Sequence, residues 1–426
     1  MSEAAIENNI IGGGRAIDIF CRILWRCGTF VSGVVALAMG VLFVKQESLL
    51  YFPSIGGVPR HPSENPRRYR SPSEHNIPFE THMITTSDGV SIHSWLLYHP
   101  DNAQKRKVPT IIWFHGNAGN IGLRLPQAIQ MFHYLKANVW MIEYRGYGDS
   151  DDAKPNESGL KLDAEAVWEY ANNPTLLNNA DPRRMFVFGQ SLGGAVAFHL
   201  AHYSQSTSYP PLAGVILENT FISISAMVDH LMPYVAPLKV LILRMHWNSG
   251  KLAPKIRTPT LFLAGARDTL VPHAHMLTLF DRMKSSKVKS LVRLHVVKDG
   301  THNETWMQGG REYWMAIQRF FDEVFAAENS SGASYGRSVS AVNVRSDGPL
   351  FQRKASVASS ITGITSSSSG ECVDSSDLKE SVAVDLGGED AAEIISSVGN
   401  FIGMAREATR TVGGSKGVGM AYKKKD

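Results

Sequence analysis

Cysteine is nearly missing: Cys21, Cys27 and Cys372 are the whole complement of a 426-residue chain. Two lie near the start of an apolar run and the third sits in a serine-rich stretch, so neither a disulfide framework nor a metal-ligand cluster follows. Charge of one sign is lacking too, because the formal net charge is +4 and the basic residues are scattered. Without a basic stripe interleaved with aromatics there is no footprint for nucleic acid, which is excluded as an expected partner. The chain is 43% apolar, enough to bury one large core or two modest ones.

One long hydrophobic run is present. Cys27–Val44 is eighteen consecutive uncharged residues, CGTFVSGVVALAMGVLFV, with Arg22 and Arg26 before it and Lys45 after it. Extended through Ile23-Leu24-Trp25, the run reaches the ~20 residues that a spanning helix needs. We expect a terminal segment over 1–22 and a single membrane anchor over 23–44, in the endomembrane system or plasma membrane. A cleaved signal peptide and a buried soluble helix are the competing readings. The long charged leader and the lack of an A-x-A-like site near Lys45 count against the first. Lysine and arginine occur on both sides of the run, so orientation stays open.

Residues 45–78 are proline-rich and read as an irregular linker lying against the folded domain or the membrane surface. Strand patterns follow at 79–86 and 90–98, joined through Ser87-Asp88-Gly89, then at 110–114, 139–142, 185–188, 214–217, 260–264 and 291–297. Helical patterns fall at 125–135, 158–172, 194–203, 276–283 and 311–325. Such alternation predicts an α/β domain over 79–326 with a mostly parallel sheet covered on both faces. An apolar insertion, 219–254, is broken by Pro233 and Pro237 and is too short for a large lid. It is expected to pack over the sheet edge and to form an acyl-binding wall.

Past 327 the composition shifts, with 15 serines between Ser330 and Ser376, and a largely disordered tail is expected to 426. Ile394, Ile395, Val398, Phe401, Ile402 and Ala405 repeat at helical spacing within 390–411, consistent with an amphipathic helix or a transient one. Lys423-Lys424-Lys425 reads as a basic chain end or a dilysine-type retrieval signal.

Chemistry concentrates around Gly189-Gln190-Ser191-Leu192-Gly193, a G-x-S-x-G pattern between an apolar strand and a small-residue helix. Glycines on either side of Ser191 permit a tight turn that presents the hydroxyl. A serine needs a base, and the base needs a group to fix its tautomer. Asp268 follows the strand TLFLAG and His302 follows the strand over 291–297, each in a loop at a strand's C-terminal end. Chain order Ser191, Asp268, His302 is the order expected when the three are mounted on successive strand ends. Asp299 is the alternative acid; Asp149, Asp151 and Asp152 precede the serine and fit worse. Backbone N–H groups of Asn117 and Leu192 are the expected oxyanion donors. His115, beside Asn117, suits holding that loop better than acting as base.

The combination W-F-H-G-N-A-G-N at 113–120, E-Y-R-G-Y-G-D-S at 143–150, G-Q-S-L-G-G-A-V-A at 189–197, E-N-T-F at 218–221, G-A-R-D-T-L-V-P at 265–272 and G-T-H-N at 300–303 is specific. It resembles the membrane-anchored α/β-hydrolase-domain family that includes bud-emergence-type proteins and their single-pass animal relatives, over about residues 20–325. The resemblance implies an α/β-hydrolase fold with Ser191 as nucleophile, Asp268 orienting His302, and an oxyanion loop at Asn117. Asp151–Glu157 departs from the family's pattern, which alters the expected loop shape and not the triad. The resulting expectation is a membrane-associated serine hydrolase acting on an acyl ester or thioester, in a lipid or an S-acylated protein, with no cofactor. The opposing class is a catalytically silent membrane-anchored scaffold that recruits partners through its tail.

Overall fold

A computed structural model of the chain describes residues 3–54, 56–100 and 106–332. Cys372, the 390–411 segment and the terminal lysines lie outside them. The first element, α1 (Glu3–Lys45), runs through both the expected terminal segment and the expected anchor. Within it and the turn that follows, Phe20–Leu49 is long and apolar enough to cross a membrane by length and composition, and its most apolar stretch is not buried by protein. Residues 46–78 hold three short 3-10 turns and lie on the folded domain, where Phe52 bridges to Ala118.

Eight strands form one sheet. These are β1 (Phe79–Thr85), β2 (Ser91–Leu97), β3 (Thr110–Phe114), β4 (Asn138–Ile142), β5 (Met185–Gln190), β6 (Gly214–Glu218), β7 (Thr260–Gly265) and β8 (Val292–Val297). Their order is β1-β2-β4-β3-β5-β6-β7-β8, with β1/β2 and β2/β4 antiparallel and every later pair parallel. The short, continuous apolar runs of β3 to β7 suit strands buried on both faces. Alternation then divides each strand between two cores. Ile112, Phe114, Val187 and Phe262 face one, whereas Ile111, Trp113, Phe186 and Leu263 face the other.

Helices cover both cores. α2 (Leu125–Leu135) sits on one face, and α3 (Glu157–Ala171) and α4 (Leu192–Ser204) on the other. The insertion after β6 holds α5 (Ile224–Leu231), α6 (Lys239–Ile242) and α7 (Ser249–Leu252), short because Pro233 and Pro237 interrupt them. α8 (His273–Lys284) follows β7, and α9 (Thr305–Gln308) and α10 (Gly310–Gly332) close the domain. The final helix extends six residues beyond the expected limit of 326, since no proline or glycine stops it before Gly332.

Candidate active site

Ser191 stands between β5 and α4 with φ 54° and ψ −117°, a left-handed φ that a side-chain-bearing residue adopts only when its surroundings impose it. The surroundings are the flanking glycines. A Cβ at Gly193 would lie 1.9 Å from the Phe114 carbonyl oxygen, and one at Gly189 would lie 2.3 Å from the Gly193 carbonyl oxygen. Strand and helix therefore approach more closely than any other residue allows. Thr220 locks the turn by donating its hydroxyl to the Ser191 carbonyl at 2.7 Å, and Ser191 N–H donates to the Glu218 carbonyl at 2.9 Å.

The topology brings Ser191, Asp268 and His302 together although they are far apart in the chain, because β5, β7 and β8 all point their C-terminal ends to one side. His302 Nδ1 is 2.7 Å from Asp268 Oδ2, and His302 Nε2 is 3.0 Å from Ser191 Oγ. An ionised carboxylate only accepts, so the hydrogen belongs on Nδ1, and the Nε2 lone pair faces the serine hydroxyl. The other Asp268 oxygen, Oδ1, accepts backbone N–H groups of Leu270 and Val271, each at 2.9 Å. Both carboxylate oxygens are thus committed and the ring is held in one orientation. All three side chains are largely shielded, each residue retaining 8% of its exposure.

The rival acids are elsewhere. Asp299 pairs with Arg267 at 3.0 Å on the exposed rim. Asp149 lies 2.8 Å from the His61 ring, Asp151 accepts from Ser91 N–H, and Asp152 pairs with Arg60. Their work is to bind the linker and β2 to the loop after β4.

The 115–120 loop lies against the serine: a Cβ at Gly116 would sit 3.8 Å from Ser191 Cβ. Its shape is held by the 143–150 motif. Tyr144 donates to the His115 carbonyl and Tyr147 to the Asn117 carbonyl, each at 2.8 Å, while Glu143 accepts from Ile121 N–H at 3.0 Å. His115 is buried, 2.7 Å from the Gly116 carbonyl and 3.3 Å from Glu143, which fits the loop-holding role read from the sequence. Asn117 uses its side-chain amide to hold Leu50 and its carbonyl to accept from Phe52 N–H. Leu192 is the first residue of α4, so its N–H precedes the intrahelical ladder.

Two residues of the site escaped the sequence reading except as letters in E-N-T-F. Asn219, at φ 46°, donates its side-chain amide to the carbonyls of Thr301 and His302 at 3.1 and 3.0 Å and accepts from Gly265 N–H at 2.8 Å. It ties the loop carrying His302 to the strand that precedes Asp268. Glu218, its neighbour, is fully buried, with Tyr313 and Gln190 donating to its two carboxyl oxygens. Burial raises its carboxyl to about 7, against the lowering effect of those hydrogen bonds.

A carboxyl raised on folding contributes stability that is fully present below its unfolded value and is lost as pH rises through the folded value. For Glu218 that window runs from 4.5 to about 7. Glu218→Gln is expected to flatten stability across this window by on the order of 3 kcal/mol, at about 1.36 kcal/mol per pH unit. Denaturant midpoints of wild type and variant over pH 4 to ~8 read the difference; identical slopes would refute the burial argument.

The departure at 151–157 also has a structural use. Asn156 caps α3 by accepting from Gly159 N–H at 2.9 Å, and Glu157 accepts N–H groups of His246 and Trp247 at 2.6 and 3.1 Å. The end of the insertion is fastened there to the body.

A family model described as serine aminopeptidase, S33, matches residues 105–250, which include the 115–120 loop and the elbow and stop before Asp268 and His302. The Schizosaccharomyces pombe protein bem46 is 35% identical over 314 residues, 74% of this chain and 97% of bem46. The Arabidopsis thaliana α/β hydrolase domain-containing protein WAV2 is 32% identical over 302 residues, 68% of this chain and 92% of WAV2. Among solved structures, the Pyrococcus furiosus esterase Pf2001 aligns with a TM-score of 0.50 at 20% identity, over 65% of this chain and 97% of its own, a likeness of fold alone. With an eight-stranded, mostly parallel sheet, a serine elbow between β5 and α4, and relatives matched over nearly their whole length, the chain belongs to the α/β-hydrolase family, in the company of the bem46-type proteins.

Proposed function

We propose that this α/β-hydrolase is a membrane-associated serine hydrolase cleaving an acyl ester or thioester, carried by a lipid or an S-acylated protein. The observation carrying this reading is the hydrogen-bonded chain from Ser191 Oγ through the His302 ring to Asp268, at 3.0 and 2.7 Å. In the first half-reaction Ser191 Oγ attacks the acyl carbonyl as His302 Nε2 takes its proton. The tetrahedral oxyanion is stabilised by the N–H groups of Leu192 and Asn117. Collapse breaks the bond to the alkoxide or thiolate, which leaves with the proton from His302, and the acyl group stays on Ser191. Water, deprotonated by the same nitrogen, then attacks the acyl-serine and releases the carboxylic acid.

Membrane association is supported by the apolar helix ending at Lys45, whose Phe30, Leu37 and Val44 face outward. Acyl preference is supported by the apolar insertion over 219–254, whose Thr220 donates its hydroxyl to the Ser191 carbonyl. The same machinery hydrolyses amides, so the test must include them. The full chain in phosphatidylcholine vesicles is offered p-nitrophenyl esters of short and long acids, a lysophospholipid, an S-palmitoyl-cysteine peptide and an aminoacyl amide. We expect kcat/KM for the best ester or thioester to exceed that for the amide. Amide preference would overturn the bond class. A folded protein that turns over nothing and never reacts with a fluorophosphonate would instead favour the scaffold.

A further inference from the structure

We infer that the tip of the insertion, Tyr234 with Val240 and Leu241, dips into the lipid interface, so that the insertion is a second, permanent membrane contact beside the span. The inference rests on the reading of α1 as a membrane helix. It starts from exposure: Tyr234, Val240 and Leu241 retain 88%, 86% and 69% of their accessible surface, whereas Met227, Met245 and Trp247 of the same insertion are buried. The insertion therefore has a packed root and an apolar tip. Large apolar side chains clustered in the open at one end of an element mark a contact with something apolar.

What covers the tip follows from where it is fastened. Gln46, one residue beyond α1, donates its side-chain amide to the Ile242 carbonyl at 3.1 Å and accepts from Arg244 and Met245 N–H groups at 2.8 and 3.1 Å. Arg244 Nη2 pairs with both Glu47 oxygens at 2.8 and 2.9 Å, its Nε donates to the Phe43 carbonyl at 2.9 Å, and its guanidinium lies 4.9 Å from the centre of the Phe43 ring. Gln46 and Glu47 are themselves buried in this junction. The clamp thus joins the last turn of the apolar helix to the C-terminal end of α6.

Val240 and Leu241 lie on α6 within one turn of the clamped Ile242, about 3 Å along a helix axis at 1.5 Å per residue. Phe43 and Val44, in the last turn of α1, keep 43% and 58% of their surface exposed. Residues 240 and 241 consequently stand at the depth where α1 leaves the hydrocarbon. Tyrosine has an apolar ring and a polar tip, which suits Tyr234 to the headgroup boundary. Near the other root of the insertion, Thr220 donates its hydroxyl to the Ser191 carbonyl. The insertion therefore connects the proposed lipid contact to the turn that carries the serine.

The test uses the full chain with Cys21→Ser, Cys27→Ser and Cys372→Ser, carrying one cysteine labelled with an environment-sensitive nitrobenzoxadiazole dye. Leu241→Cys and Val240→Cys probe the tip, Leu37→Cys probes the span, and Arg183→Cys, which lies before β5 at the opposite end of the sheet, serves as the aqueous control. In phosphatidylcholine vesicles containing doxyl-labelled acyl chains, emission from 37, 240 and 241 should be quenched about twofold or more, and emission from 183 should be unchanged. Quenching at 37 alone would overturn the inference while leaving the span intact. Dye in water at both 37 and 241 would overturn the inference together with the anchor. Neither outcome depends on hydrolysis, so failure here is distinct from failure of the hydrolase reading.

Discussion

Ser191→Ala should abolish fluorophosphonate labelling and lower kcat by about 10⁶-fold, the cost of removing a nucleophile that its partners cannot replace. The substitution deletes one oxygen, whose hydrogen bond is to the His302 ring. The features that shape the turn are unaffected: Gly189, Gly193 and the hydrogen bond from Thr220 to the residue-191 carbonyl concern the backbone. Alanine keeps the Cβ and hence the left-handed φ already tolerated there. Thermal midpoints of the two proteins should therefore agree within a few degrees while chemistry disappears. Labelling that persists in the folded variant would remove Ser191 from the mechanism, since the phosphonate would be reacting elsewhere.

Asp268→Asn should cost about 10⁴-fold in kcat, more than loss of one charge near the ring would suggest. Asp268 Oδ1 receives two backbone N–H groups, from Leu270 and Val271, and Oδ2 faces His302 Nδ1. An asparagine must direct its carbonyl oxygen at the two backbone donors, because its NH₂ group there would leave three donors in confrontation. Its NH₂ then points at Nδ1, which is forced to accept, and the ring hydrogen moves to Nε2, where it faces the serine hydroxyl. The base has become a donor. Asp299→Asn provides the comparison: its carboxylate sits on the exposed rim with Arg267 and should change kcat by less than about threefold. Equal losses in the two variants, measured on the same soluble ester, would mean that the acid had been misidentified.

Ser191 and its glycines were legible because a turn this tight leaves a mark in composition: only glycine fits where a Cβ would meet a carbonyl oxygen at 1.9 Å. Asp268 and His302 were legible from position, each following a short apolar run by a few residues. Asn219 was not. Asparagine after a strand is ordinary in sequence, and its value comes from reaching residues 82 and 83 positions away. Glu218 was hidden for the opposite reason: a glutamate ending an apolar run looks like the strand's solvent-facing exit, and only the packing of Tyr313 and Gln190 around it makes it a buried group.

Strand periods, proline breaks, the elbow and the uncharged run at 27–44 are local properties, dictated by neighbours within a few residues, and for that reason the eight strands and the loops that carry Ser191, Asp268 and His302 are readable from the amino-acid order. Which aspartate backs the histidine, how Glu143, Tyr144 and Tyr147 grip the 115–120 loop, and that Arg244 clasps the end of the apolar helix depended on the arrangement of elements in space. A hydrogen bond is decided by tenths of an ångström and by direction, and residues nearly 200 positions apart, such as Glu47 and Arg244, acquire both only when the chain has folded around them.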